Sequence, residues 1–131
     1  MRDDIYAVSH LTLEQYRDAY RTFLEAWNRH DLETALAAMA PDCEWDSPLS
    51  EFASEPGAWI GRDEIARFHK EWFETIPDFH IDDPVRVLQA SDDTFVTLDR
   101  GRGSGAGSGA PFEIDFATVV ELSERMVVRI R

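Results

Sequence analysis

The segment of residues 112–122 reads Phe-Glu-Ile-Asp-Phe-Ala-Thr-Val-Val-Glu-Leu, and its pattern is the most regular in the chain. Its even-numbered positions are all apolar except Thr118, whereas its odd-numbered positions include Glu113, Asp115 and Glu121. Because side chains on a strand alternate between its two faces, this pattern predicts a β-strand with one buried and one mostly solvated face. The buried face requires a partner layer, and the segments upstream can supply it.

Three helices are predicted from apolar side chains that recur every three or four residues. The first begins at a capping box formed by Thr12 and Gln15, and the second begins at Asp31 and ends at Pro41. The third covers about residues 63–76. Their apolar stripes are Tyr16, Ala19, Tyr20, Phe23, Leu24 and Trp27, then Leu32, Ala35, Leu36 and Met39, then Ile65, Phe68, Trp72, Phe73 and Ile76.

Two further strands lie on either side of the third helix. Residues 43–47 form a short strand with Cys43, Trp45 and Ser47 on one face. Residues 79–90 form a longer strand that Pro84 interrupts. Because proline cannot donate a ladder hydrogen bond, Pro84 indicates an edge position or a bulge.

The last strands are joined by turns at residues 91–93 and 123–125 and by a hairpin over residues 101–109, which contain five glycines. In the strand over residues 94–102, the face predicted to point inward carries Val96, Leu98, Arg100 and Arg102. The final strand covers residues 126–131. Helices grouped before an antiparallel meander are typical of an α+β fold with helices on one sheet face. A single domain is therefore expected over residues 1–131, with residues 1–11 as an N-terminal arm.

Composition narrows the classes of partner. The 131 residues are 44% apolar and carry a net charge of −13, which disfavours nucleic acid and anionic membrane surfaces because both attract cationic proteins. No apolar run approaches the length that spans a membrane. Cys43 is the only cysteine, so no internal disulfide can form and a cytoplasmic, reducing location is expected.

Four segments carry a resemblance to a known family, namely residues 27–32, 40–45, 61–65 and 101–105. Together with the element order they resemble the nuclear transport factor 2-like superfamily and, within it, the SnoaL-like group. The resemblance implies a cone-shaped α+β barrel, in which a curved, mostly antiparallel sheet has three helices covering its concave face. It also implies a homodimer, since dimers are common in the family. Family members usually continue past the last strand, so a missing or truncated C-terminal tail is expected.

The family's best-known catalytic sets do not map well onto this sequence. A ketosteroid isomerase-like site would place its tyrosine at Phe23, its base at Ser47 and its second acid near Ala117, and these side chains cannot do that chemistry. A shift of one residue would bring Asp46 into play. A limonene epoxide hydrolase-like site matches Arg100, but its strand carboxylate would fall on Arg102.

Three residues are the candidate catalytic groups. His69 lies on the apolar stripe of the third helix, as a core histidine or as a general base facing the pocket. Arg100 is either a salt-bridge partner or an anchor for a ligand oxyanion. Asp46 faces outward if Trp45 faces inward, but a bulge would turn it into the cavity, where burial would raise the pKa of its carboxyl.

The predicted ligand-binding residues are mostly aromatic, with two hydroxyls. Wide, rigid aromatic walls with a few polar groups fit a flat, hydrophobic small molecule, although core packing is the alternative role for each ring. No spacing of histidine, cysteine or acidic residues predicts a metal, and no cofactor is expected. The set is Tyr20, Phe23, Trp27, Trp45, Ser47, Trp59, Trp72, Phe116 and Thr118.

Two functions fit these features. The first is a cofactor-independent enzyme that cyclises, isomerises, dehydrates or hydrates a hydrophobic substrate by proton transfer. The second is a binding module that holds an apolar ligand or a partner protein without chemistry. Two or more titratable side chains converging on one point of a cavity would favour the enzyme.

Overall fold

Ordered helices and strands account for most of the chain. A computed structural model describes residues 10–46, 58–82, 84, 86–104 and 109–131. The predicted N-terminal arm is therefore described only at its end, where His10 Nδ1 lies 2.7 Å from Asp93 Oδ1. Ser47 lies outside the described residues.

The first helix, α1, spans Leu13–Asn28 and begins at the predicted capping box. Thr12 Oγ1 accepts a hydrogen bond from the Gln15 backbone N–H at 3.1 Å, and Gln15 Oε1 accepts one from the Thr12 N–H at 3.0 Å. These bonds satisfy two backbone donors that a helix start leaves unpaired. The chain then turns at His30, which has a φ of 63° and stacks its ring on Phe73.

The second helix is much shorter than predicted. Asp31 caps it, but α2 spans only Leu32–Ala35 and continues as a 3₁₀ turn over Leu36–Ala38. Strand β1 then begins, spanning Met39–Trp45, so Pro41 lies within a strand and does not mark the end of a helix. The pairing of β1 with the last strand shifts register between Met39 and Glu44. Such an irregularity tolerates a proline because the ladder is already interrupted there.

The remaining elements are a third helix and six strands. Helix α3 spans Arg62–Thr75 and follows Gly61, whose φ of 89° favours glycine. The strands are β2 Trp59–Ile60, β3 His80–Ile81, β4 Arg86–Ser91, β5 Thr94–Ser104, β6 Pro111–Ser123 and β7 Met126–Ile130.

The strands form one mixed, mostly antiparallel sheet in the order β2-β1-β7-β6-β5-β3, with β4 also paired to β5. The β1–β7 pair is parallel and the other pairs are antiparallel. The sheet is open and not a closed barrel, and with its helices it confirms the predicted α+β cone fold. Strands β3 and β4 pair with successive parts of β5 on either side of Pro84, which confirms an edge position for that proline.

The inward face of β6 is the predicted one, because the even positions are the more buried along the strand. The predicted inward face of β5 is wrong. Phe95, Thr97 and Asp99 are buried, whereas Arg100 and Arg102 lie on the outer face.

Charge explains why β5 has this orientation. Arg100 Nε lies 2.8 Å from Asp115 Oδ1, and Arg102 Nη1 lies 2.6 Å from Glu113 Oε1 on the outer face of β6. Turning β5 over would bury two guanidinium groups away from these partners. Burying an unpaired charge costs far more than leaving Val96 and Leu98 half exposed.

Aromatic rings fill the space between the helices and the sheet. Trp27 of α1 meets Phe73 and Phe79 edge-on, with ring centroids 4.8 Å and 5.7 Å apart. Phe79 in turn packs on Gly101, where a Cβ atom would lie 2.5 Å from Phe79 Cζ. Tyr16 stacks on Phe95 at 4.1 Å, so α1 rests directly on the inner face of β5.

Candidate functional site

A narrow pocket opens between α1 and the inner face of the sheet. It contains about 520 Å³ of empty space when its open mouth is included, but only a small part of this can hold the centre of a water molecule. Aromatic and aliphatic side chains make up most of its wall. The lining residues are Tyr20, Phe23, Trp27, Trp45, Ile81, Phe116, Thr118, Val120, Ile130 and Arg131.

The spacing of the lining residues follows from the elements that carry them. Tyr20, Phe23 and Trp27 of α1 are three and four residues apart, which places them on one face of the helix. Phe116 and Thr118 are alternate residues of β6 and share its inner face. The pocket is therefore a gap between one helix face and one sheet face.

A buried carboxyl group lies immediately behind this wall. The Tyr20 hydroxyl donates a hydrogen bond to Asp99 Oδ2 at 2.9 Å, and Thr97 Oγ1 donates one to the same oxygen at 2.7 Å. Asp99 is 2% exposed, and its Oδ1 has no hydrogen-bond partner within the described residues. A buried polar atom without a partner is costly and points to a ligand, a water or a proton that satisfies it.

Burial dominates the protonation of this pair. It raises the pKa of the Asp99 carboxyl, while the hydrogen bonds from Thr97 and Tyr20 act in the opposite direction and are weaker. Burial and the nearby Asp99 charge both raise the pKa of Tyr20 well above its usual value, so its hydroxyl keeps its proton. The pair thus combines a tyrosine that donates with an acid that ionises reluctantly.

Asp99 was not among the residues predicted from the sequence, because that prediction placed Arg100 on the inner face. Asp99 is therefore an inward carboxylate of β5 that was not identified from the sequence. A signal for it did exist. Pairing the arginines of β5 with Asp115 and Glu113, which lie on the solvated face of β6, would have turned Asp99 inward.

His69 lies behind the pocket wall, among aromatic rings. It is 1% exposed, and its Nδ1–H donates to the Ile65 carbonyl at 2.8 Å. Burial lowers the pKa of its imidazole to about 4, so the ring is neutral near pH 7. Its ring meets Trp45 and Trp27 edge-on at 4.6 Å and 5.8 Å, and both indoles line the pocket, whereas His69 does not.

The structure does not bring the three predicted catalytic residues together. Asp46 is exposed after the end of β1, where its backbone N–H donates to the Ile130 carbonyl at 2.8 Å. Arg100 is paired with Asp115 on the outer face, and His69 is in the core. Their catalytic roles stay predictions.

Six of the predicted ligand-binding residues line the pocket, namely Tyr20, Phe23, Trp27, Trp45, Phe116 and Thr118. Two others pack elsewhere in the core. Trp59 stacks on Phe68 at 4.1 Å, and Trp72 meets Phe79 edge-on at 5.2 Å. Ser47 lies outside the described residues.

Two features are absent from the described residues. No group of three or more histidine, cysteine or acidic side chains there is arranged to hold a metal ion. No helix in those parts of the chain is both long and apolar enough to cross a membrane.

The open sheet with helices over an aromatic pocket has the α+β cone fold, which is also the fold of solved NTF2-like and ketosteroid isomerase-like structures. Among proteins of this fold, the chain belongs to the SnoaL-like domain family, whose model matches residues 20–130. This confirms the resemblance noted from the sequence. Comparison with curated proteins finds no match.

Several solved structures share the fold. An NTF2-like protein of unknown function from Burkholderia pseudomallei is 24% identical, with 86% of this chain and 85% of that chain aligned at a TM-score of 0.75. A putative polyketide cyclase from Xanthomonas campestris is 16% identical, with 91% and 90% aligned at a TM-score of 0.75. A protein of ketosteroid isomerase-like fold from Catenulispora acidiphila, in complex with trimethylamine, is 15% identical, with 86% and 81% aligned at a TM-score of 0.73. At these identities the likeness shows the fold alone.

Proposed function

We propose that this protein binds a hydrophobic small molecule in the pocket between α1 and the sheet, with Tyr20 and Asp99 as the polar end of the site. The observation that carries the proposal is the buried Asp99 carboxyl, which is bonded to Tyr20 of the pocket wall and has one oxygen without a hydrogen-bond partner among the described residues. A few polar groups at the end of an apolar cleft are the usual arrangement of a small-molecule site. The Catenulispora protein of the same fold, solved with trimethylamine, supports small-molecule binding by this architecture.

A blocked pocket tests binding. Thr118→Met places a longer side chain in the pocket, whereas Glu113→Met makes a similar change on the outer face of the same strand. Titration with 2-naphthol, followed by tryptophan fluorescence, should show binding to the wild type and to Glu113→Met but not to Thr118→Met. Equal binding by all three would place the ligand elsewhere and refute the proposal. Mass spectrometry of small molecules that copurify with the protein then identifies the natural ligand.

The more specific form of the proposal is that the protein catalyses proton transfer. It would then be a cyclase, isomerase, dehydratase or hydrolase that needs no cofactor. Tyr20 lines the pocket and can direct its hydroxyl to a ligand oxygen, while Asp99 can accept or supply the proton behind it. Turnover of the identified ligand by Tyr20→Phe and Asp99→Asn tests this role. A fall of about 100-fold or more in kcat is expected of a general acid or base.

The rival catalytic assignment uses Asp46, His69 and Arg100, and the same assay separates the two. Arg100→Ala and Asp46→Asn should retain the wild-type rate, because both side chains lie on the surface. If these variants lose activity while Tyr20→Phe keeps it, the rival set is correct. If no variant affects the fate of the bound ligand, the protein is the alternative, a ligand-binding or protein-interaction module without chemistry.

We also propose that the protein is a cytoplasmic homodimer formed by a single domain. An apolar strip on the outer face of the sheet supports the dimer, since Val96 pairs with Val119 on one side and Leu88 on the other, and Leu88 is 38% exposed. A lone, buried Cys43 fits a reducing compartment.

A further inference from the structure

The wall of the pocket is unusually rich in aromatic rings. Of the ten described residues that line it, five are aromatic, and the aliphatic ones are Ile81, Val120 and Ile130. The face of an aromatic ring carries partial negative charge and attracts a cation, most strongly where water is excluded. An anion would gain nothing from such a wall.

The charged groups around the pocket also favour a cation. The basic residue in the lining is Arg131, but its Nη2 lies 3.0 Å from Glu121 Oε1 and its side chain is 52% exposed. On the inner side, Asp99 is bonded only by the neutral hydroxyls of Tyr20 and Thr97, and its Oδ1 has no hydrogen-bond partner within the described residues. When Asp99 is ionised, these contacts leave its buried negative charge without a counter-charge, and the chain as a whole carries −13.

Position makes the Asp99 charge effective. The carboxyl lies one hydrogen bond of 2.9 Å behind Tyr20, which forms part of the wall. Because the site is shielded from solvent, a charge there is screened much less than one at the surface. A cation in the pocket would stabilise the ionised carboxylate, and the carboxylate would in turn strengthen cation binding.

The shape and chemistry of the pocket select among cations. It is narrow, which fits a compact head group. An ammonium with N–H groups would need hydrogen-bond acceptors, and the mostly apolar lining has few of them. A methylated ammonium has no such requirement and presents an apolar surface to the rings.

Resting on the proposed function, we infer that the ligand of this pocket is a small organic cation with a methylated ammonium head group, held by the aromatic wall and by Asp99 as its counter-ion. The ligand class is thus narrower than a hydrophobic small molecule. It also differs from a carboxylate or enolate ligand anchored by Arg100, since that side chain is on the opposite face of the sheet.

Choline and its neutral isostere 3,3-dimethylbutan-1-ol test the charge requirement. The two differ mainly in the exchange of N⁺ for carbon, so their shapes match. Isothermal titration calorimetry of the wild type at neutral pH should show choline bound about tenfold or more tighter, the ratio expected of a desolvated cation–π site. Equal affinities, or no binding of either compound, would overturn the inference.

Two variants identify the counter-ion. Asp99→Asn should weaken choline binding about tenfold while leaving the isostere unchanged, because only the cation interacts with the lost charge. Asp115→Asn removes a carboxylate from the outer face and should alter neither affinity. If Asp99→Asn does not fold, as judged by circular dichroism, Phe23→Leu removes a ring from the wall and should weaken choline more than the isostere. An unchanged ratio in the variant tested would refute the assignment.

The pH dependence gives an independent readout. Choline binding to the wild type should weaken as the pH is lowered from about 7.5 to about 4.5, because protonation of Asp99 removes the counter-charge. Tyr16 and Tyr20, which also face Asp99, stay neutral over this range since burial raises the pKa of both. His69 packs against Trp27 and Trp45 and titrates near the acidic limit. Asp99→Asn should therefore remove most of the pH dependence, and a profile identical to that of the wild type would contradict the counter-ion role.

The choline and 2-naphthol measurements together distinguish failure of the inference from failure of the proposed function. If choline and its isostere bind equally or not at all, but 2-naphthol still binds the wild type and not Thr118→Met, the pocket is a ligand site of another specificity. If the affinity for 2-naphthol is also unchanged by the Thr118→Met substitution, the pocket is not the ligand-binding site.

Discussion

At the scale of single residues, Asp99 carries a carboxyl group that the fold withdraws from water. It is buried beside Tyr20 and Thr97, and one of its oxygens has no hydrogen-bond partner within the described residues. Burial raises the pKa of its carboxyl in the folded state, whereas the unfolded chain leaves it near the ordinary value. The folded state consequently binds this proton more tightly, and Asp99 reduces stability as the pH rises above the unfolded pKa.

The substitution Asp99→Asn should remove the loss of stability that Asp99 causes at higher pH. We define the stability difference as the free energy of unfolding of the variant minus that of the wild type. This difference should increase as the pH rises from about 4 to about 7, by about 1.4 kcal/mol for each unit of pKa shift that the substitution removes. Urea denaturation at a series of pH values measures it. Other carboxylates contribute equally to both proteins, so their contributions cancel in this difference. Asp78 and Asp82 are examples with the opposite pH dependence, because hydrogen bonds lower their pKa values. A difference that is flat with pH would show that Asp99 titrates normally.

Gly101 is a position where a single added methyl group should destabilise the core. A Cβ there would lie 2.5 Å and 2.9 Å from ring atoms of Phe79, which is itself packed on Trp27. Gly101→Ala should lower the free energy of unfolding by about 1–3 kcal/mol, the usual cost of overpacking a core. In the control, Gly103→Ala, the nearest atom would be Ile76 Cγ2 at 3.0 Å, so its loss should be smaller. Equal losses would mean that Phe79 moves aside freely.

At the scale of elements, the β6–β7 hairpin contains backbone strain. Its turn residues Glu124 and Arg125 have φ values of 50° and 68°, which fits a turn that asparagine and glycine form more readily. Replacing both residues by Asn-Gly should raise the free energy of unfolding by about 1–2 kcal/mol. Thermal unfolding measures the gain. The β4–β5 turn at Asp92 and Asp93 has no positive φ, so Asp92→Gly should bring no gain. A decrease in stability of the hairpin variant would mean that the side chains of this turn matter more than its backbone.

The outer face of the sheet is charged at one end of β5 and β6 and apolar at the other. One end carries the ion pairs of Arg100 with Asp115 and of Arg102 with Glu113 and Asp82. These side chains are largely exposed, so the pairs contribute little to stability. Orientation depends instead on the cost of burying two guanidinium groups, which keeps the arginines outside and places Thr97 and Asp99 inside.

At the scale of the whole molecule, the neighbouring apolar strip of Leu88, Val96, Leu98 and Val119 is the surface that a second copy would cover. Leu98→Lys should convert a dimer to a monomer, since a charge in an apolar interface is costly to bury. Sedimentation equilibrium at micromolar concentration measures the mass. Ile60→Lys is the control, because Ile60 is 57% exposed on the edge strand β2. A wild type that is monomeric under these conditions would refute the dimer.

Much of the architecture can be read from local patterns. The alternation along residues 112–122, the capping box at Thr12 and the interruption at Pro84 each predicted a feature that the structure has. The second helix was predicted too long, because the stripe Leu32, Ala35, Leu36 and Met39 continues through a 3₁₀ turn into β1. Periodicity alone does not distinguish such a continuation from a longer helix.

The fold class, the family and the aromatic residues from which a pocket is built all follow from local sequence patterns. The inward face of β5, and with it whether Arg100 or Asp99 belongs to the site, becomes clear only in the folded chain. The physical reason is that β5 carries apolar residues on both faces, so alternation defines two faces without saying which is buried. That choice depends on contacts across the chain, with Tyr16 of α1 stacked on Phe95 inside and the carboxylates of β6 paired with arginines outside.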